Sequence, residues 1–123
     1  MRAYLVPDGV FVIDVFVPSP IALSRDPEGR YPSGQYKGPS GKAGMTYSSR
    51  YDHTTQINHI TLYTQCGESE PVEGRLDMKM HYPQELDVLL AYNGLPIATR
   101  YGTPELDPFD GESGRQLIVC RKA

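Results

Sequence analysis

The sequence predicts an all-β fold, mostly antiparallel, arranged as a β-sandwich or a small β-barrel with one long extended loop. Glycine and proline are frequent, with 12 and 11 among 123 residues, and both favour turns over long helices. Between the turns lie about seven short runs that alternate in polarity or are rich in β-branched residues. No strand–helix–strand spacing is present, which favours antiparallel pairing. The length is that of one domain, and we predict a single β domain over residues 1–123.

The first predicted element is a β-hairpin near the N-terminus. Two apolar runs, 4–6 and 10–17, flank a Pro-Asp-Gly sequence with the chemistry of a turn. The run over 10–17 is apolar at every position except Asp14. A strand that is apolar on both faces is typical of the centre of a sheet. We therefore expect residues 10–17 to form a central strand covered on both sides.

Residues 18–44 show almost no apolar periodicity. The tripeptide Pro-Ser-Gly occurs at 32–34 and again at 39–41, so a short turn unit is duplicated. An irregular stretch of this length is uncommon inside a domain, where it is either a functional arm or a disordered linker. We predict an extended arm, rich in Gly, Pro and Tyr, over about residues 18–52.

Two strands are predicted in the middle of the chain. Residues 57–66 form one, with alternating side chains on two faces. Residues 75–82 alternate more cleanly, and we expect this strand to be half-buried. In it the side chains expected to face the core are Leu76, Met78, Met80 and Tyr82, and those expected to face water are Asp77, Lys79 and His81.

The segment 83–94 fits two structures. Pro83 in a first turn and Gly94 after a last turn would suit a short helix. An apolar run that ends in Asn93-Gly94 would instead suit a hairpin, and we favour the hairpin. Residues 97–101 are predicted to return as an edge strand because Pro96 precedes them. A polar, acidic loop over 102–114 then leads to a final strand over 116–120.

The predicted arm is cationic, whereas the rest of the chain is acidic. Residues 29–51 carry four cations and no Asp or Glu, a local charge of +4, which leaves −7 for the rest of a chain whose net charge is −3. Tyrosines lie between these cations, a combination that suits contacts with a partner; a solvated, mobile loop is the other interpretation. The candidate partner-binding residues are Arg30, Tyr31, Tyr36, Lys37, Lys42, Tyr47, Arg50 and Tyr51.

No motif for enzyme chemistry is found. The segment 38–44 lacks the spacing, the hydroxyl residue and the following helix of a phosphate-binding loop. The three histidines and two cysteines show no short paired spacing of a zinc site. His59 and Cys66 lie seven positions apart, which places them on opposite faces of one strand. We therefore predict no enzyme activity, no catalytic residue, no metal and no cofactor, and we expect Cys66 and Cys120 to be buried thiols.

The leading functional hypothesis is a non-enzymatic structural protein that docks into a larger, oligomeric assembly of protein subunits. Decoration, connector or tail components of virus and phage particles are the analogy. One alternative is a small protein that binds nucleic acid or inhibits a nucleic-acid enzyme, which the acidic net charge disfavours. A small enzyme is the other. We expect a cytoplasmic protein or a particle component, with no cleavable signal peptide and no membrane association.

Overall fold

A computed structural model describes residues 1–38 and 41–123 of the chain, and the side chains of residues 1–34 and 43–123. The described residues form seven strands, which confirms the all-β class. Both of the sheets that they form are open and antiparallel. The elements are β1 (Val10–Phe16), α1 (Pro20–Leu23), β2 (Tyr31–Gly38), β3 (Gly41–Asp52), β4 (Ile57–Cys66), β5 (Val72–Lys79), α2 (Pro83–Tyr92), β6 (Ile97–Tyr101) and β7 (Arg115–Arg121).

The first of two structural units comprises residues 1–19 and 81–123. Its sheet has the strand order β1-β7-β6, so the last strand of the chain lies at the centre. The predicted final strand over 116–120 lies within β7, whose side chains alternate between buried and less buried positions. Helix α2 supplies apolar side chains to the same core. The buried core cluster consists of Leu86, Leu90, Leu95, Ile118 and Cys120.

Strand β1 lies at an edge of this sheet, and the prediction of a central strand is wrong. Its one neighbour is β7, with Ile13 opposite Ile118. Only one face of β1 packs against the core, and on the other face Val10 and Val12 are 43% and 51% exposed. The predicted hairpin is also wrong, because residues 2–4 form a single 3₁₀ turn. An apolar strand therefore has one open edge and one open face in this structure.

Residues 83–92 form a helix, so the favoured hairpin is wrong and the helical alternative is right. Pro83 occupies the first turn, where a missing N–H costs nothing. Leu86 and Leu90, one turn apart, are both buried. The Asn93 side chain donates to the Leu89 carbonyl at 2.8 Å, and Gly94 follows with a φ of +74°. The Asn-Gly pair thus ends a helix rather than turning a hairpin.

The second unit, residues 20–80, contains a four-stranded meander in the order β2-β3-β4-β5. Strand β4 has the predicted bounds of 57–66. Strand β5 spans 72–79, three residues earlier than predicted, and it lies at the sheet edge. It is not half-buried, since Leu76 is 45% exposed. Met80 is buried beyond the strand end, where its N–H donates to the Gln56 carbonyl at 2.7 Å.

Much of the predicted irregular arm is regular structure. After the short helix α1, β2 and β3 pair in antiparallel fashion with Tyr31 opposite Tyr47. Strand β3 continues to Asp52 and pairs with β4 from Ala43 to Asp52. Backbone hydrogen bonds to neighbouring strands require no apolar alternation, and glycine-rich strands show none, which is why the sequence pattern missed them.

The two cysteines differ in their surroundings. Cys120 is fully buried on β7, as expected, whereas Cys66 is exposed at the end of β4, contrary to expectation. Both are free thiols. In the part of the chain that the structure describes, no helix has the length and apolar character needed to cross a membrane.

Candidate functional site

A cluster of one arginine and two tyrosines lies on the second unit; we call it the arginine–tyrosine cluster. The rings of Tyr31 and Tyr47 are cross-strand neighbours with centroids 5.9 Å apart and a tilt of 42°. The Arg25 guanidinium lies 4.8 Å from the Tyr31 ring centroid and 5.7 Å from that of Tyr47, and it donates a hydrogen bond to the Tyr47 hydroxyl. Such cation–π contacts are favourable by about 0.5–2 kcal/mol each.

The turn before β2 positions the Tyr31 side chain. The backbone N–H of Asp26 donates to the Tyr31 hydroxyl at 3.1 Å. Gly29 lies directly beneath the ring, where an added Cβ would come within 2.8 Å of the hydroxyl oxygen. A residue without a side chain is therefore required for this ring to lie against the turn.

A second cation–π contact lies on the opposite face of the same sheet. Tyr63 is opposite Thr46 in the register, one position away from Tyr47 along β3, so its side chain points the other way. The Arg30 guanidinium lies 3.6 Å from the Tyr63 ring centroid. The hydroxyls of Tyr63 and Ser48 are 3.3 Å apart and share a hydrogen bond.

The structure thus divides the predicted partner-binding residues. Tyr31 and Tyr47 are brought together, whereas Arg30 lies on the other face. Arg50 forms an exposed, long ion pair of 3.8 Å with Glu28. Tyr51 lies near the end of β3, opposite Asn58. The side chains of Tyr36, Lys37 and Lys42 lie outside the described residues, and partner binding by all eight remains a prediction.

A polar site in the first unit was missed by the sequence analysis; we call it the imidazole site, formed by His81, Glu85 and Gln116. His81 Nδ1 lies 3.5 Å from the Glu85 carboxylate, and the two side chains are 35% and 37% exposed. Gln116 on β7 is fully buried, and its Nε2 donates to the His81 carbonyl at 3.3 Å. The prediction that His81 faces water on a strand is wrong, because the chain leaves β5 at Lys79.

Two polar atoms of the imidazole site are buried without a hydrogen-bond partner among the described residues. They are Nδ1 of His81 and Oε1 of Gln116. Most buried polar atoms in proteins are hydrogen-bonded, so each of these two atoms needs an explanation, such as a functional role or a bound water. The sequence could have indicated this pair. If a helix begins at Pro83, His81 and Glu85 are four positions apart and their side chains can meet at its first turn.

Beside this site, Arg100 connects the sheet to α2. Its guanidinium donates to the Asp87 carboxylate at 2.7 Å and lies 5.2 Å from the Phe109 ring centroid. The Arg100 charge also acts on the buried thiol of Cys120. Burial raises the pKa of Cys120 above its ordinary value, and Arg100 partly offsets that rise.

His59 forms another histidine–carboxylate pair, on the second unit. Its Nδ1 lies 2.8 Å from the Asp77 carboxylate across β4 and β5, and both side chains are well exposed. No three His, Cys, Asp or Glu side chains within the described ranges lie close enough together to hold a metal ion.

Comparison of the fold identifies similar solved structures. No family model and no curated protein matches the sequence. The CcbJ methyltransferase from Streptomyces caelestis is similar over 99% of this chain and 47% of its own, with a TM-score of 0.82 and 21% identity. An S-adenosylmethionine-dependent methyltransferase from Clostridium acetobutylicum matches 94% of this chain and 45% of its own, with a TM-score of 0.62 and 13% identity.

These similarities correct the functional expectation. Both similar structures are methyltransferases, which contradicts the prediction of a non-enzymatic structural protein in a virus or phage assembly. The expectation that the chain takes no part in enzyme activity is contradicted by the same finding. The small-enzyme alternative agrees better with it. The chain spans about half the length of the two structures that it matches.

Proposed function

We propose that this chain works in S-adenosylmethionine-dependent methyl transfer, as part of a methyltransferase fold. The observation that carries the proposal is the similarity to CcbJ, which extends over 99% of this chain at a TM-score of 0.82. Both units take part in that similarity, since each alone is much shorter than the matched length. Fold similarity at low identity does not by itself transfer an activity, so the activity needs a direct test.

The open edge of β1 suits a sheet that continues beyond β1 in the complete methyltransferase fold. A seven-residue apolar strand at an edge presents unpaired backbone groups, and natural proteins normally protect such an edge. Val10 and Val12 expose apolar surface on the face away from the core. We expect β1 to pair with a strand from the portion of the fold that the two methyltransferases have in addition. The predicted protein partner would then be this portion, joined at β1.

The described residues do not on their own resemble a nucleotide-type cofactor site. Such sites place a glycine-rich turn between a parallel strand and a helix, and each described sheet is antiparallel. In this proposal the chain's residues act on the methyl acceptor, and the binding of S-adenosylmethionine is a property of the assembled fold.

The test is methyl transfer by the protein isolated from its source, with bound polypeptides retained. S-Adenosylmethionine carrying a tritiated methyl group is incubated with nitrogen and oxygen acceptors, and label in the products is measured. We expect label that depends on this protein and is inhibited by S-adenosylhomocysteine. Failure to bind S-adenosylmethionine in calorimetry, together with no label in any product, would overturn the proposal.

A pair of matched variants tests the role of the β1 edge. Val12→Lys places a charge on the open face of β1, and Val88→Lys places the same charge on α2, where Val88 is 71% exposed. We expect only Val12→Lys to weaken methyl transfer and to release any polypeptide bound at β1, as seen in the native mass. Equal behaviour of both variants would argue against pairing at this edge.

A further inference from the structure

We propose that His81 is the proton acceptor for the group that becomes methylated, with Glu85 and Gln116 as its positioning residues. This inference rests on the proposed function and names the acceptor-side chemistry of the same enzyme. It follows from three features of the imidazole site: a backbone held by Gln116, a buried ring nitrogen that faces a carboxylate, and a side chain that is partly exposed.

Gln116 fixes the backbone at His81. It lies on the central strand β7 opposite Val15 and is fully buried. Its Nε2 donates a hydrogen bond of 3.3 Å to the carbonyl of His81, which lies 35 residues earlier in the chain. A buried amide on the most protected strand is a rigid support, and rigid support is what a catalytic side chain requires. The unpartnered Oε1 of the same amide remains beside residue 81.

The Glu85 carboxylate faces one nitrogen of the imidazole ring. Its carboxylate lies 3.5 Å from Nδ1, and that nitrogen is buried. A carboxylate facing one ring nitrogen favours the tautomer with its proton on that nitrogen. In the proposed arrangement the proton is on Nδ1, and Nε2 carries the lone pair. Since Nδ1 is buried while the side chain is 35% exposed, the exposed surface belongs to the other atoms of the residue.

The chemistry of methyl transfer requires such a base when the acceptor carries a hydrogen. When the acceptor nitrogen or oxygen forms a bond to the electrophilic methyl group of S-adenosylmethionine, the methyl C–S bond breaks and S-adenosylhomocysteine leaves with the electron pair. An N–H or O–H acceptor thereby gains a methyl and loses one proton. The Nε2 lone pair takes that proton, and the resulting imidazolium, whose Nδ1 lies 3.5 Å from the Glu85 carboxylate, returns it to water. The site therefore suits a nitrogen or oxygen acceptor that is neutral and protonated before the reaction.

Kinetics of His81→Ala test the role, with His59→Ala as the matched control from the other histidine–carboxylate pair. Loss of a general base lowers the rate by about 100-fold or more. We expect that loss in kcat for His81→Ala, with the KM for S-adenosylmethionine unchanged and activity partly restored by added imidazole. His59→Ala should retain the parent rate. A parent-like kcat in His81→Ala would overturn the inference and leave the proposed function intact.

A spectroscopic measurement tests the site without turnover. In the full chain, ¹⁵N chemical shifts report which ring nitrogen carries the proton. We expect the Nδ1–H tautomer at His81, and we expect Glu85→Gln to reduce its population while the fold, followed by circular dichroism, stays unchanged. An Nε2–H tautomer in the parent protein would overturn the inference even if methyl transfer is demonstrated. Absence of methyl transfer with the expected tautomer would instead count against the proposed function.

Discussion

Arg100 on β6 donates a hydrogen bond of 2.7 Å to the carboxylate of Asp87 on α2, which ties the helix to the sheet beside the imidazole site. The same guanidinium donates to the Pro83 carbonyl at 3.2 Å, at the start of that helix. Its side chain is only 15% exposed, while that of Asp87 is 48% exposed. The start of α2, which carries Glu85, therefore depends on a largely buried cation.

Removal of this carboxylate should destabilise the first unit. Asp87→Ala leaves Arg100 without its anionic partner, and a hydrogen bond between charged groups is worth about 1.5–3 kcal/mol, less where one partner is half exposed. We expect a loss of about 1–2 kcal/mol in the free energy of unfolding, measured in urea. The control is Asp14→Ala, which removes the exposed partner of Arg115 at 3.1 Å. A cost for Asp87→Ala no greater than that of the control would contradict this prediction.

Gly102 should not tolerate a side chain. It is buried at the end of β6, and an added Cβ would lie 2.5 Å from the Ser113 hydroxyl oxygen and 2.9 Å from the Pro108 carbonyl oxygen. The serine can rotate away, but the carbonyl belongs to the backbone. We expect Gly102→Ala to lower the free energy of unfolding by about 1–3 kcal/mol. Gly111→Ala, where the space is open, should be neutral or slightly stabilising; equal urea midpoints for the two variants would contradict the geometry.

The carboxyl group of Asp52 should titrate at unusually low pH. Thr54 donates to it from its hydroxyl at 2.6 Å and from its backbone N–H at 2.9 Å, and these bonds lower the pKa from 3.8 to about 2. The folded state thus favours the carboxylate, so its contribution to stability is present above pH 3.8 and is lost as the pH falls towards 2. Thr54→Val removes the hydroxyl only. We expect an NMR titration to place the variant's pKa above 2 but below 3.8, and an unchanged value would contradict the assignment.

The two thiols should differ in reactivity. Cys66 is exposed, whereas Cys120 is fully buried and has its pKa raised by that burial. The thiolate is the reactive form, so we expect iodoacetamide to modify Cys66 readily and Cys120 only as the fold opens. Mass spectrometry of timed samples measures this, with unfolding in urea as the control in which both sites react alike. Matching rates in the native protein would show that Cys120 is accessible.

Local sequence patterns predicted the two strands nearest the C-terminus, β6 and β7. The segments 97–101 and 116–120 were correctly predicted as strands, and Pro96 correctly indicated an edge position for β6. In β7, Ile118 and Cys120 belong to the same buried core cluster as Leu86 and Leu90 of α2. The residues of α2 fit both a helix and a hairpin. The helix is favoured because it brings Leu86 and Leu90 together into the buried core.

The functional relationships could not be predicted in the same way. Similarity of fold to two methyltransferases persists at 21% and 13% identity, because many sequences satisfy one backbone arrangement, and no short motif in this chain indicates it. Arg25 and Tyr47 lie 22 residues apart, and their contact depends on the pairing of β2 with β3, which the Gly-rich sequence did not indicate.

By itself, the sequence determined the all-β class and the approximate number of strands, since these follow from local periodicity and turn chemistry. Only the tertiary structure decided that β1 lies at an open edge and that Gln116 holds residue 81 beside Glu85. The physical reason is that periodicity shows which side chains share a face, whereas strand order and long-range hydrogen bonds depend on segments that meet only in the folded chain.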